Sequence, residues 1–419
     1  MKSYFLFVKH SWAVLLFGFL AVFWGNFGQS FFVGQFSEAI QSSLGLSAAE
    51  YGSTYSLATL LSAMTVVWAG SLVDRLQLRH YVAIVCVGLS VACLLLSQVQ
   101  VAALLVIALY FLRLFGQALL PHAGSTTMAR VFDTHRGKAL SIASSGFPVG
   151  EIILPALAVV LIATVGWQHA FMAIGVWVLI VVLPSMLMLI QYSDIERLDD
   201  AQKGTHSSGN DSAVRTAAIQ KKGIRALLLR DYRYWLALPG LMAGPFIATG
   251  IFIHQNFLLD SKGWSAALFA TCFIVYGVVH WVSSLVSGVL VDRFSAHRLL
   301  PYFLIPLVCA LATILFGDGD WSAIVFMALL AMSIGGGSPI TGALWAEIYG
   351  AQSIGAIRSV NIAIIVFATS LSPILLGYFI DQATNLSTIV IATISYATIA
   401  IVMLYFSYPA NPYPSSTKT

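Results

Sequence analysis

Two formal charges stand where the sequence otherwise reads as unbroken hydrocarbon, Arg113 and Glu151. Placing a charged side chain at the centre of a bilayer helix costs roughly 2.5–3.5 kcal/mol, so such a residue faces protein or water and has a partner or a task. At about 1.5 Å per residue, each lies ~18 Å from one end of its apolar run, near mid-depth. A guanidinium there attracts an anionic or polar solute, and a carboxyl there binds and releases a coupling proton. A static ion pair joining two consecutive helices is the competing reading, and the sequence leaves both open. Histidines add groups that change charge near neutral pH: His280 deep in its run, His254 followed by Gln255 and Asn256, and His122. Each could equally be a hydrogen-bonded packing residue. Asn26, Gln29, Gln117, Tyr55, Tyr276 and Asn361 are polar groups that either line a wet interior or bond between helices.

The composition says which elements must carry these residues. Of 419 residues, 59% are hydrophobic and only 9% charged, with a mean hydropathy of +0.87. Soluble domains carry roughly 25% charged residues. Soluble enzymes, nucleic-acid binders and disordered scaffolds are therefore excluded, and apolar runs of about 20 residues exclude a β-barrel. Twelve runs are long enough to cross a bilayer: 11–36, 51–73, 80–98, 101–129, 139–163, 167–192, 234–259, 265–291, 299–316, 321–346, 359–380 and 386–408. The first is read as an uncleaved helix rather than a signal peptide. Placing alternate loops on one side gathers 19 of the 21 Lys and Arg residues there, which predicts both termini in the cytoplasm of a cell inner membrane. Cys86, Cys93, Cys272 and Cys309 fall inside apolar runs and read as small hydrophobic residues.

The chain repeats itself at an offset of 218 residues. Gly70-Ser-Leu-Val-Asp74-Arg75 recurs as Gly288-Val-Leu-Val-Asp292-Arg293, Ser47-Ala-Ala as Ser265-Ala-Ala, and Pro155 as Pro373. Residues 1–192 and 234–419 are thus expected as matching six-helix bundles of parallel topology, joined by a polar cytoplasmic linker, 193–233, that ends in a basic amphipathic piece from Ile219 to Leu229. Such a layout is one of the transporter architectures.

These features resemble the major facilitator superfamily. The duplicated Gly-x-Leu-x-Asp-Arg loops carry the likeness, with Arg113-Leu-Phe-Gly116-Gln117 similar to the family's second motif. Arg136-Gly-Lys-Ala followed by Gly146-Phe-Pro148 resembles the monocarboxylate-porter-like branch. The resemblance implies an all-α membrane protein, twelve transmembrane helices in two pseudo-symmetric six-helix bundles, moving solute by alternating access through a site between the halves. It implies a cytoplasmic gate at Gly70, Asp74, Arg75, Gly288, Asp292, Arg293, Glu347 and Arg358. In that gate the aspartates lie near helix N-termini of the opposite half, and Arg75 and Arg293 pair with nearby acids such as Glu347.

The substrate and proton pathway is expected at Arg113, Glu151, His280, His254, Asn26, Gln29, Gln117 and Asn361. Gly335-Gly-Gly-Ser-Pro339, Pro148, Pro155 and Pro373 are expected to weaken or interrupt their helices as hinges. No Walker A loop, HExxH or GxSxG occurs, so the expectation is a non-enzymatic transporter without a cofactor, driven by an ion gradient, most simply H+. A small organic anion such as a monocarboxylate, carried in symport with the proton by a monomer, is the expected solute. The uncharged spans 1, 8 and 11 also suit a proton-driven multidrug or metabolite efflux antiporter.

Overall fold

The computed structural model describes residues 7–132, 135–193, 195, 228, 230–349 and 354–408, with the side chains of 354–356, 358 and 359 left out. The expected amphipathic piece at Ile219 to Leu229 lies outside these residues, apart from the single position Leu228. Among the described residues the secondary structure is helical throughout, without a strand. Among the described residues nine helices are long and apolar enough to cross a membrane, or ten when Trp12–Gly28 and Ser30–Leu44, bent by 46°, count as one span. One of the nine, Arg136–Tyr192, is 57 residues long. It departs from helical geometry at Gly166, where φ is 79° and ψ 162°, a conformation that favours a residue without a Cβ. A further helix, Ile305–Phe316, is apolar but shorter.

Lipid is the solvent these helices are built for. The most apolar window of Ala266–Phe294, and likewise that of Leu386–Ser407, is only 22% buried within the protein. Val67, Trp68, Ile180 and Val289 are among many large apolar side chains on the surface. In water such a surface would drive aggregation, whereas in a bilayer it meets acyl chains at no cost.

The chain divides into two compact units, Met1–Gly209 with Phe252–Gln255, and Asn210–Ile251 with Asn256–Thr419. Helix boundaries recur at the offset of the sequence repeat. The helices Ala102–Val131 and Asp320–Tyr349 begin 218 positions apart. Helices likewise start at Ala48 and Ala266. The paired starts at Ala48 and Ala266 have one cause. Ser47 and Ser265 are N-caps whose hydroxyls accept from the N–H of Glu50 (3.2 Å) and of Leu268 (3.1 Å).

The breaks fall elsewhere than the prolines suggest. Asp320–Tyr349 runs through Gly335–Gly337 and Pro339, Gly146–Trp177 through Pro155, and Ile354–Asp381 through Pro373. Pro148 also lies within the Gly146–Trp177 helix, at its first turn, where its missing N–H costs nothing. Three residues before Pro339 the Ser287 hydroxyl of a neighbouring helix bonds the Gly336 carbonyl at 2.6 Å. Instead the first span breaks at Gln29, which is extended (φ −80°, ψ 152°) between short helical pieces. The helix through Ala102–Val131 widens to a π-helix over Arg113–Leu119.

Candidate functional site

In the first unit the break at Gln29 and the π-helical turn meet, and glycines let them do so. A Cβ on Gly28 would strike the Gln117 backbone nitrogen, and one on Gly116 would stand 2.9 Å from the Gly28 nitrogen. The two backbones thus cross in direct contact. A third element joins through Gly150, where a Cβ would overlap the Asn26 side chain. Asn26 itself, fully buried, donates to the carbonyls of Phe23 and Gly146, each at 3.0 Å.

Arg113 projects from the start of the π-helical turn into this crossing. It is 3% exposed. Its guanidinium lies 4.5 Å over the centre of the Tyr55 ring, and one terminal nitrogen donates to the Tyr55 hydroxyl and, at 3.3 Å, to the Gly28 carbonyl. Every one of these contacts is to a neutral group. Glu151 is buried one residue beyond Gly150, yet it is not a partner of Arg113. The static ion pair is therefore replaced by a cation–π and hydrogen-bonded seat, which holds a guanidinium while leaving its charge unneutralised. Arg113 Nε, the Tyr51 hydroxyl and Asn26 Oδ1 are buried without a hydrogen-bond partner. Leaving such an atom unsatisfied costs roughly 1–3 kcal/mol, and native folds keep few of them.

Tyr51, one turn before Tyr55, extends the cluster. Its ring meets the edge of His254 at 6.5 Å, and both residues are buried. Gln255, also part of the first unit, donates to the Gly34 carbonyl at 3.0 Å and accepts from Gln35 at 3.3 Å. Gln29 and Gln117 are half-buried at the crossing itself. His122 lies 3.5 Å from Thr126 one turn on and beside Gly70 of the Ala48–Arg75 helix. His280, Tyr276 and Asn361 belong to the second unit. The His280 ring lies edge-on to Tyr276 at 6.0 Å, and Asn361 is buried with its Oδ1 unpartnered. So the structure brings Arg113, Asn26, Gln29, Gln117 and, one residue beyond the crossing, Glu151 to one place in one unit.

At the duplicated loops, Asp74 pairs with Arg130. Arg130 closes the apolar run 101–129, so sequence reading sees only a loop cation there. Glu347 accepts from the backbone N–H groups of Ala296 (2.7 Å) and His297 (3.2 Å) and from the His297 ring at 3.2 Å. It caps the short helix Ala296–Leu299 rather than pairing with Arg293, because exposed N–H groups at a helix start offer a carboxylate a fixed site. The Arg293 guanidinium lies 5.2 Å over the Phe294 ring. Asp292 is exposed, a Cβ on Gly288 would meet nothing within 4 Å, and Gly70 sits beside His122. Arg358 lies on the Ile354–Asp381 helix, with its side chain outside what is described.

The family model of the Major Facilitator Superfamily matches residues 15–317 and 240–419. The chain belongs to the Major Facilitator Superfamily. Among its curated relatives is an uncharacterised MFS-type transporter, YcxA, of Bacillus subtilis (strain 168), 24% identical over 408 residues and covering 94% of each chain. Another is an uncharacterised transporter, YybO, of the same strain, 25% identical over 376 residues, covering 82% of this chain and 81% of its own. The protein is accordingly a multi-pass helical membrane transporter of the secondary type, acting on a small solute, and not an enzyme. Tyr55, named from sequence only as a polar group lining the interior or bonding between helices, holds Arg113 in this seat. The signal that points to it is its spacing from Tyr51, two aromatic hydroxyls one helical turn apart in an apolar run.

Proposed function

We propose that the chain carries a small organic anion, such as a monocarboxylate, together with a proton by alternating access, and that Arg113 anchors the anionic group. One observation carries this reading. The guanidinium is buried at the meeting of a broken helix and a π-helical turn, among neutral partners, with its Nε unbonded. An incoming carboxylate supplies the charge that Tyr55 and Gly28 do not, in a charge-assisted bond of the stronger kind. Glu151 is the proton carrier in this scheme, with Asn26, Gln29, Gln117, Asn361, His254 and His280 along the pathway. The motif resemblance to the monocarboxylate-porter-like branch supports the solute class. The charge distribution supports an inner-membrane protein with twelve crossings, residues 1–192 and 234–419 as its bundles, 193–233 as a cytoplasmic linker, and both termini inside. The gate is assigned to the two loops at Asp74 and Asp292, and the working form is a monomer.

The test is uptake into proteoliposomes under an imposed pH gradient, with a panel of small carboxylates. Arg113→Gln is expected to reduce uptake at least tenfold while the purified variant stays folded. Glu151→Gln is expected to lose gradient-driven uptake and keep solute counterflow. Should Arg113→Gln transport at the wild-type rate, the anchoring role is wrong. A second reading, proton-driven efflux of multidrug-type or metabolite substrates, is favoured by spans 1, 8 and 11, which hold no basic residue within them. Thermal stabilisation by bulky cations, and none by carboxylates at low pH, would select it.

A further inference from the structure

The second unit carries a groove of about 500 Å³ that transport through Arg113 does not use. One face of the Ala266–Phe294 helix forms its length through Val282, Val286 and Leu290, with Tyr302 and Met332 opposite. Ser283 and Ser287 also line it, but their hydroxyls donate to backbone, Ser283 to His280 at 3.1 Å and Ser287 to Gly336 at 2.6 Å. The remaining lining is therefore apolar. Gly336 adds no bulk, since a Cβ there would meet nothing within 4 Å. From Val278 to Leu290 the groove runs ~18 Å along the helix, slightly more than one leaflet of a hydrocarbon core about 30 Å thick. Val282 and Val286 each expose about half of their surface, 52%.

One end of this apolar groove is cationic. Arg293 follows Leu290 by three residues, on the same helical stripe, and Arg298 directly precedes Leu299, another lining residue. Both arginines are exposed, and among the described residues neither forms an ion pair. Glu347 is committed to the N–H groups of Ala296 and His297. Asp292 offsets one of the two charges, which leaves a net positive mouth on a leaflet-length apolar slot. A surface that merely met bulk lipid would need neither the slot nor the paired cations at its end. We infer that the groove binds one acyl chain of an anionic phospholipid, with the headgroup phosphate on Arg293 and Arg298. Arginine is suited to that contact because its planar fork matches phosphate oxygens. This site is separate from Arg113, so either assignment stands or falls without the other.

The experiment uses the full-length protein, delipidated in detergent, titrated with phosphatidylglycerol or with phosphatidylcholine of the same acyl chains, and read by native mass spectrometry and thermal shift. Wild type is expected to retain phosphatidylglycerol in preference to phosphatidylcholine. An Arg near an anionic lipid contributes roughly fivefold in affinity, so Arg293→Gln with Arg298→Gln should weaken phosphatidylglycerol binding about 30-fold and leave phosphatidylcholine unchanged. Should the double variant not fold, Arg298→Gln alone is expected to give about fivefold. Val286→Trp, which fills the slot and keeps both cations, should weaken both lipids. Equal binding of the two lipids by wild type overturns the assignment. So does undiminished phosphatidylglycerol binding in the arginine or Val286→Trp variants, and so does retention of a non-lipid molecule in the slot in place of phosphatidylglycerol.

Discussion

A buried guanidinium usually stands out by its carboxylate partner, and Arg113 is defined instead by neutral ones. The Tyr55 hydroxyl orients the fork, while the ring beneath it holds the cation. Tyr55→Phe keeps the ring and removes the hydroxyl. If Tyr55 positions Arg113 toward an anion, this variant should weaken solute affinity about ten- to a hundredfold, the worth of one hydrogen bond to a charged group, and leave the maximal rate close to wild type. An unchanged affinity would show that the ring alone suffices. The Asp74–Arg130 pair belongs to a different regime. Asp74 keeps 59% of its side-chain surface exposed, and exposed pairs are worth about 0–1 kcal/mol. Asp74→Asn should therefore lower the melting temperature by no more than about 3 °C. Its expected effect is on the balance of inward- and outward-open states, read by thiol-labelling accessibility, together with the transport rate. If both are unmoved, the pair is no part of a gate.

At the scale of helices, the site depends on two backbones touching. Gly28 and Gly116 are what permit it, and a leucine at 116 has nowhere to go but into the Gly28 backbone. Gly116→Leu should lower the melting temperature by more than about 5 °C, overpacking costing ~1–3 kcal/mol or more where the obstacle is main chain. Gly137→Leu is the control, as a Cβ there meets nothing within 4 Å. The positions of the apolar helices were legible in the sequence because twenty-residue hydrocarbon runs have few other meanings. The bend at Gln29 was not, since no proline lies in it, whereas the widened turn at Arg113–Leu119 ends two residues before Pro121 and so had a proline beside it. The prolines misled for the complementary reason. A helix can stay continuous where a proline leaves one carbonyl without its donor, as Asp320–Tyr349 does through Pro339. Arg113 and Glu151 could be singled out by depth, but not their partners, because depth is a property of one helix and a partner belongs to another.

For the whole molecule, the repeat is the strongest statement in the sequence, and helix starts reproduce its offset to the residue at Ala102 and Asp320 and again at Ala48 and Ala266. Identical spacing does not mean identical bonding. At Ala48 the helix start is closed reciprocally, for the Ser47 N–H also donates to the Glu50 side chain at 2.8 Å. At Ala266 the position equivalent to Glu50 is Leu268, and only the serine's half of that exchange exists. A missing half of a cap is worth about 0.5–1 kcal/mol, enough to raise the fraction of time an end is open two- to fivefold. The two copies should consequently fray at different rates. In amide hydrogen exchange, deuterium should enter the first turn after Ser265 sooner than the first turn after Ser47, and Leu268→Glu should slow it toward the other copy. A duplicated architecture would then melt from its younger-looking, less fastened end first, so that symmetry of form coexists with an order of events.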